Sequence, residues 1–366
     1  MGWRRLGGGL LFVSVWLVAA CGDDSQTGGA GAGGTDLGGS SSGAANAGGQ
    51  GGGVGGGAQG GSAPVPESCD PFEPRVDPPE VWVLPDGFAS NVVELIGTAE
   101  TSLDVMMYQF TVQSIADALV AAHDRGVLVR VLLDPDETVN DTVRATLTGS
   151  GIEVRDAPAT FSYAHAKVVV VDGARAMVSS GNFNSYSTSS ERNYAAIDTA
   201  ADDVDDLEAV FEHDWSGAPL DLSCTRLVVS PDNAKARLTA LISSATTSLD
   251  LAVMYLSDTG LRDAVAGRVA AGVPVRILLA DPSWISGNAQ AATELAAIGA
   301  EVEFCVDYEL HAKLIVADDT VFIGSENLSY TALTKNREVG IFVEEAPGAA
   351  LVKQTFESDW AQGVPP

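Results

Sequence analysis

Basic side chains are scarce in this 366-residue sequence: 20 Lys and Arg stand against 49 Asp and Glu, giving a formal net charge of −29 and a pI near 4.2. Unspecific nucleic-acid binding draws most of its affinity from neutralising phosphates with Lys and Arg, so this balance disfavours nucleic acid as a bulk partner, although a local basic groove could still form. Cysteine is sparse too, with four residues and no Cys/His spacing of the zinc-binding kind, so neither a metal nor another cofactor is expected. The apolar run Leu10 to Ala20 is shorter than the roughly 20 residues that span a bilayer. Histidine is equally rare. His123, His165, His213 and His311 are the only four, which makes their placement informative.

The order Arg4-Arg5, apolar run, small residues reads as a secretory signal, with a transmembrane anchor as the competing interpretation. Residues Leu17 to Cys21 resemble the lipobox of bacterial lipoproteins, which implies cleavage before Cys21 and a lipid on that thiol. An ordinary signal with Cys21 incidental is the alternative. From Gly22 to about Ala63, Gly, Ala and Ser dominate and leave too few large apolar side chains to offset the entropy of ordering. The expected organisation is therefore a signal peptide over 1–20, a lipidated Cys21 with a flexible linker over 21–63, and two repeats over 64–218 and 219–366. Cys69, Cys224 and Cys305 allow one bridge at most. Cys69 with Cys224 is the expected pair, because both lie in connecting segments, with Cys305 buried beside a strand.

The repeat is visible residue by residue. Thr101-Ser102-Leu103-Asp104 returns as Thr247-Ser248-Leu249-Asp250, 146 positions later, and Gly126 and Arg130 return as Gly272 and Arg276 at the same offset. Met107-Tyr108 reappears as Met254-Tyr255, and both units close alike, with Phe211-Glu212-x-Asp214-Trp215 against Phe356-Glu357-x-Asp359-Trp360. Each unit reads as strand, helix, strand: Leu103 to Tyr108, Ile115 to Asp124 and Val127 to Leu133 in the first, Leu249 to Tyr255, Leu261 to Ala271 and Val273 to Leu279 in the second. With Lys167 to Val171 and Lys313 to Ala317 as strands apolar on both faces, this predicts an α/β fold of two duplicated sandwich halves about a pseudo-twofold axis. Trp215 and Trp360 are expected to pack. Tyr108 and Tyr255, at the ends of equivalent strands, suit either the core or the lining of a site.

His165, Lys167 and Asp172 recur as His311, Lys313 and Asp318, again 146 positions on. If each pair lies on a strand, residues i and i+2 share a face, so imidazole and ammonium enter one space. An imidazole serves as nucleophile or proton carrier, and an ammonium suits a phosphate oxygen. Asp172 and Asp318 fall at turn positions, which suggests an orienting or structural role within the His-Lys-Asp constellation.

Two copies of His-x-Lys-x4-Asp, followed by Gly324-Ser325-Glu326-Asn327 in the second half and Ser179-Ser180-Gly181-Asn182 in the first, resemble the phospholipase D superfamily over about residues 78 to 362. The first half departs from the family pattern at Ser179, where Gly is usual, and at Asn193, where an acidic residue is usual unless Glu191 replaces it. The resemblance implies that one histidine attacks phosphorus while the other protonates the leaving alcohol and then activates water; family habit gives the attack to His165. Lys167, Lys313, Asn182 and Asn327 would surround the phosphate oxygens, Ser180 and Ser325 would support them, and Glu338 would hold a histidine tautomer. Two imidazoles in opposite protonation states predict a bell-shaped pH profile.

These residues imply an exported, membrane-tethered, monomeric bacterial envelope lipoprotein that hydrolyses the head-group side of phospholipids. An endonuclease, a phosphatidyltransferase and a binding module that has lost its activity are the alternatives.

Overall fold

The computed structural model describes residues 70–344 and 347–366. The signal, Cys21, the linker and Cys69 lie outside the described residues. The first half runs β1 (Glu80–Leu84), α1 (Phe88–Gly97), β2 (Ser102–Met107), α2 (Gln113–Asp124), β3 (Leu128–Leu133), α3 (Asp141–Gly149), β4 (Glu153–Asp156), β5 (Lys167–Val171), β6 (Arg175–Ser179), β7 (Glu191–Asp198) and α4 (Ala201–Ser216). The second runs β8 (Val228–Ser230), α5 (Ala234–Ser244), β9 (Leu249–Val253), α6 (Thr259–Ala270), β10 (Val275–Ala280), α7 (Asn288–Ala297), β11 (Glu301–Cys305), β12 (Glu309–Leu310), β13 (Lys313–Ala317), β14 (Thr320–Gly324), α8 (Tyr330–Thr334), β15 (Glu338–Val343) and α9 (Pro347–Trp360).

The sheet orders β1-β7-β6-β5-β2-β3-β4 and β11-β10-β9-β13-β14-β15-β8 are the same order read in opposite senses. Along these orders β2-β3-β4 and β9-β10-β11 are parallel and the other neighbours antiparallel, and β12 of the second half joins the first sheet by pairing in parallel with β7. Strand β5 shows why these central strands carry no polar face. Val168 and Val170 join a core shared by both halves, while Val169 and Val171 join the core under α1 and α2, so each side of the strand is covered. In β13, Leu314 and Val316 face the shared core and Ile315 and Ala317 the core under α5 and α6. The shared core also takes Val204, Leu207 and Phe211 of α4 and Val352 and Phe356 of α9. Gly126 and Gly272 stop the helices before β3 and β10 at φ of 97° and 82°, a left-handed conformation that suits glycine at a helix end.

Within each half the closing Glu of the repeat joins an ion triad. Arg130 grips Asp104 with two hydrogen bonds of 2.7 Å and also reaches Glu212, and Arg276 binds Asp250 and Glu357 in the same way. Trp215 stacks on Phe211 and Trp360 on Phe356. Both tryptophans therefore pack.

The closing aspartates reach across to the other half. Arg192 of β7 is bidentate to Asp359 of α9 at 2.8 and 3.0 Å, and Arg337, beside β15, is bidentate to Asp214 of α4 at 2.8 and 2.9 Å. Each contact is returned by its repeat partner, as a twofold arrangement requires. Arg75 adds a one-sided tie, binding Asp198 and Asp203 of the first half and Glu344 and the Phe342 carbonyl of the second. Cys224 is disulfide-bonded and Cys305 is a buried free thiol; Cys69, the expected partner of Cys224, lies outside the described residues.

The crossed clamps predict interdependent halves. Replacing Arg337 with Ala strands Asp214 as a buried charge, and the expected cost is about 3–5 kcal/mol, read from urea unfolding. The double variant Arg337→Ala, Asp214→Ala should recover part of that loss; equal stability of the single variant and the native chain would show the clamp to be dispensable.

Candidate active site

The lysine ends of β5 and β13 lie where the parallel strands β2 and β9 end: Lys167 pairs with Met107, and Lys313 with Val253. Ligands of open α/β sheets gather at such carboxyl ends. His165 and His311 precede their strands rather than lying on them, which corrects the expectation that strand alternation alone aligns each His with its Lys. Their backbones are instead docked on the opposite half, with His165 N donating to the Arg337 carbonyl at 2.8 Å and His311 N to that of Arg192 at 3.2 Å. Lys167 and Lys313 curl back so that each Nζ donates to the carbonyl of its own histidine, and Lys313 Nζ also lies 3.2 Å from both ring nitrogens of His311.

The ring contacts cross between halves as well. His165 Nδ1 meets Glu338 Oε2 at 2.7 Å, and Asn336 Nδ2 donates to the other carboxylate oxygen at 2.9 Å. His311 Nδ1 meets Asn193 Oδ1 at 3.1 Å, and Glu191 Oε2 stands 3.6 Å from the same nitrogen. Ser180 Oγ donates to Asn193 Oδ1 at 2.8 Å, and Ser325 interacts with Glu338 in the equivalent place. Asn182 and Asn327 follow these serines and are buried, each with a carbonyl oxygen that has no hydrogen-bond partner among the described residues. Unsatisfied buried polar atoms of this kind suit a polar ligand. The Tyr108 ring is 4.6 Å from that of His165 and 5.1 Å from Lys167 Nζ, so Tyr108 lines the site; Trp284 stands 6.4 Å from His311.

Electrostatics separates the groups. Burial lowers the pKa of His165, against which Glu338 pulls upward, and it lowers that of His311 further, reinforced by Lys313 and Lys167. Glu338 is held below the usual carboxylate range: burial pushes it up, but His165 and Lys167 outweigh that. Glu326 goes the other way, driven well above the range by burial and by Glu338, which favours its protonated form. An anion placed between the two ammonium groups offsets their effect on both imidazoles, so phosphate binding favours their protonation.

Glu326 also explains the departure at Ser179. In the second half its carboxyl lies against Gly324, where a Cβ would also meet the Gly340 Cα at 2.7 Å. The first half has Gly181 in place of Glu326, which leaves space for the side chains of Ser179 and of Ala195, the residue in place of Gly340.

Asp172 and Asp318 are at the far ends of β5 and β13, about 16 Å along the strand from the lysines at ~3.3 Å per residue. The Asp172 carboxylate accepts from the backbone N–H groups of residues 100, 101 and 102, and Asp318 from those of 246, 247 and 248. Both adopt positive φ, 56° and 54°, in the hairpin turns. They belong to the fold and touch neither histidine, which corrects their place in the His-Lys-Asp constellation. His123 ends α2, and His213 Nδ1 bonds the Ala218 carbonyl, so neither belongs to this site. Sequence reasoning missed Asn336, Trp284 and the direct contact of Asn193; the paired runs Glu191-Arg192-Asn193 and Asn336-Arg337-Glu338 were the available signal.

A family model described as Cardiolipin synthase, PLD-like domain, matches twice, at residues 92–215 and 238–360. The chain belongs to the phospholipase D superfamily and is a phospholipase D-like enzyme. Among its relatives, Mitochondrial cardiolipin hydrolase of Xenopus laevis is 30% identical over 42% of this chain and 73% of that protein. Cardiolipin synthase 1 of Bacillus cereus is 25% identical over 74% of this chain and 64% of its own. The solved phosphatidylserine synthase of Haemophilus influenzae superposes with a TM-score of 0.60 at 14% identity, over 79% of this chain and 86% of that one. Polyphosphate kinase of Porphyromonas gingivalis gives 0.62 at 18%, over 78% and 47%. At such identities the last two show a shared fold alone.

Glu338→Gln removes the charge behind His165, and turnover of a diester is expected to fall by about 10²-fold or more while the folding transition stays near that of the native chain. Asp318→Asn should behave in reverse, keeping turnover and lowering Tm. Burial of Asp318 is outweighed by its donors, which depress its pKa; the stability it contributes is complete above the ordinary carboxylate pKa of about 4 and is lost as pH falls towards the folded value. The Tm gap should therefore narrow from pH 7 towards pH 3, and a constant gap would contradict the assignment.

Proposed function

We propose that this enzyme hydrolyses phospholipids on the head-group side through a phosphohistidine at His165. The observation that carries the reading is the crossed pair of His-Lys sets, of which His165 alone has a carboxylate at 2.7 Å from Nδ1. With Nδ1–H donated to Glu338, His165 Nε2 keeps its lone pair for phosphorus. Attack forms a P–N bond, the P–O bond to the head group breaks, and His311 Nε2 gives its proton to the departing oxygen. Water then attacks phosphorus, His311 Nε2 takes the water proton, and the P–N bond breaks to release phosphatidate. Lys167 and Lys313 offset the charge on the non-bridging oxygens through both steps.

Lipid as substrate is supported by the net charge of −29, which works against a polyanion, and by the names of the relatives, cardiolipin hydrolase and cardiolipin synthase. A lipid on Cys21, supported by the run Leu17 to Cys21, would raise the local concentration of substrate around a tethered site. Transfer to an alcohol is the second reading. It is favoured by the match to a synthase over 74% of this chain, since the same intermediate accepts either an alcohol or water.

Incubating the full chain with mixed phospholipid vesicles that include cardiolipin, with and without added glycerol, and following the products by mass spectrometry should yield phosphatidate that is absent with His165→Ala. Phosphatidylglycerol appearing only with glycerol would identify transfer. Turnover of single-stranded DNA but not of lipid would overturn the lipid reading.

A further inference from the structure

The two orienting strands carry the same two groups in exchanged positions. Aligned on the clamp arginines, Glu191-Arg192-Asn193 stands opposite Asn336-Arg337-Glu338. In one case the carboxylate touches the histidine and the amide supports it from behind. In the other the amide touches the histidine, and the carboxylate is behind it. This exchange rests on the phosphodiesterase reading above and goes beyond it, because it makes the two imidazoles chemically unequal.

The hydrogen-bond chain fixes the direction of the amide. Asn193 Nδ2 donates to Glu191 Oε2 at 3.0 Å, and Ser187 Oγ donates to that same oxygen at 2.6 Å. Ser180 Oγ donates to Asn193 Oδ1 at 2.8 Å. A flipped amide would set its N–H group against the Ser180 donor and its carbonyl against a carboxylate, so Oδ1 has to face His311. An oxygen there accepts only from Nδ1–H. The neutral ring is thereby held in one tautomer, with Nε2 left for proton transfer.

We propose that Glu191 is the positioning residue of the proton-transfer histidine, acting through Asn193 on His311. Substituting an amide for the carboxylate at this contact keeps His311 a weaker base than His165, which suits a group that must release its proton to a leaving alcohol and recover one from water. The charged and titratable groups facing His311 are Lys313 beside it, Lys167 and His165 from the first half, and Glu191 from β7, itself flanked by Glu309.

The test uses bis(p-nitrophenyl) phosphate, whose first leaving group departs without a proton. In Glu191→Gln the burst of nitrophenol is expected to remain stoichiometric, while steady-state turnover falls about tenfold or more, because only the water step needs His311. In Asn193→Asp both histidines face carboxylates, and the acidic limb of the steady-state pH profile should move up by about one pH unit, since a nearby opposite charge favours the protonated ring and the water step needs the neutral one. Burst and steady state slowed equally in Glu191→Gln, or native kinetics in both variants, would overturn the proposal and leave phosphodiester cleavage standing. A native chain that gives neither burst nor turnover would overturn the functional reading, and this one with it. Asn193→Asp with an unshifted profile at native Tm would also overturn it.

Discussion

The docking of each histidine segment on the orienting strand of the other half is the constraint on which the rest of this molecule depends. His165 N bonds the Arg337 carbonyl and His311 N that of Arg192, so the residues that hold each ring, Glu338 and Asn193, necessarily come from the opposite repeat. Neither half contains a complete site. The same two arginines anchor Asp214 and Asp359, so the pairing that completes the chemistry also binds the halves together.

Around that junction the fold supplies a buried frame. The core shared by both sheets packs behind the lysines, which are 0% and 1% exposed, and a cation so buried is tolerated only where carbonyls and carboxylates surround it. Burial and the lysine charges lower the basicity of both imidazoles, Glu338 restores part of it to His165, and an arriving phosphodiester would restore more. A site that is electrostatically incomplete without an anion is suited to one that cleaves phosphate esters.

Duplication left the two halves similar but not equal, and the differences compensate locally. Ser179 and Ala195 fit in the first half because Gly181 stands where Glu326 fills the second, next to Gly324 and Gly340. Asn193, which breaks the acidic pattern, is backed by Glu191, whereas Glu338 is backed by Asn336. Two chemically identical histidines would compete for the same role; exchanging a carboxylate for an amide distinguishes them without altering the strand.

Much of this was legible in the residues alone. The constant offset between repeats, the helix-stopping glycines and the valine-rich strand after Lys167 are local patterns, set by periodicity and backbone conformation, and they determined the α/β halves and marked His165, Lys167, His311 and Lys313. The aspartates of the same motif read as turn residues that either orient a histidine or serve the fold, and the choice stayed open because a sequence records spacing but not which end of a strand faces the site. Tertiary structure sent Asp172 and Asp318 to the opposite end, brought Tyr108 against His165, and decided that Glu338 serves a histidine 173 positions away. Contacts between halves depend on how two sheets dock, and that follows from packing over the whole core rather than from any run of neighbouring residues.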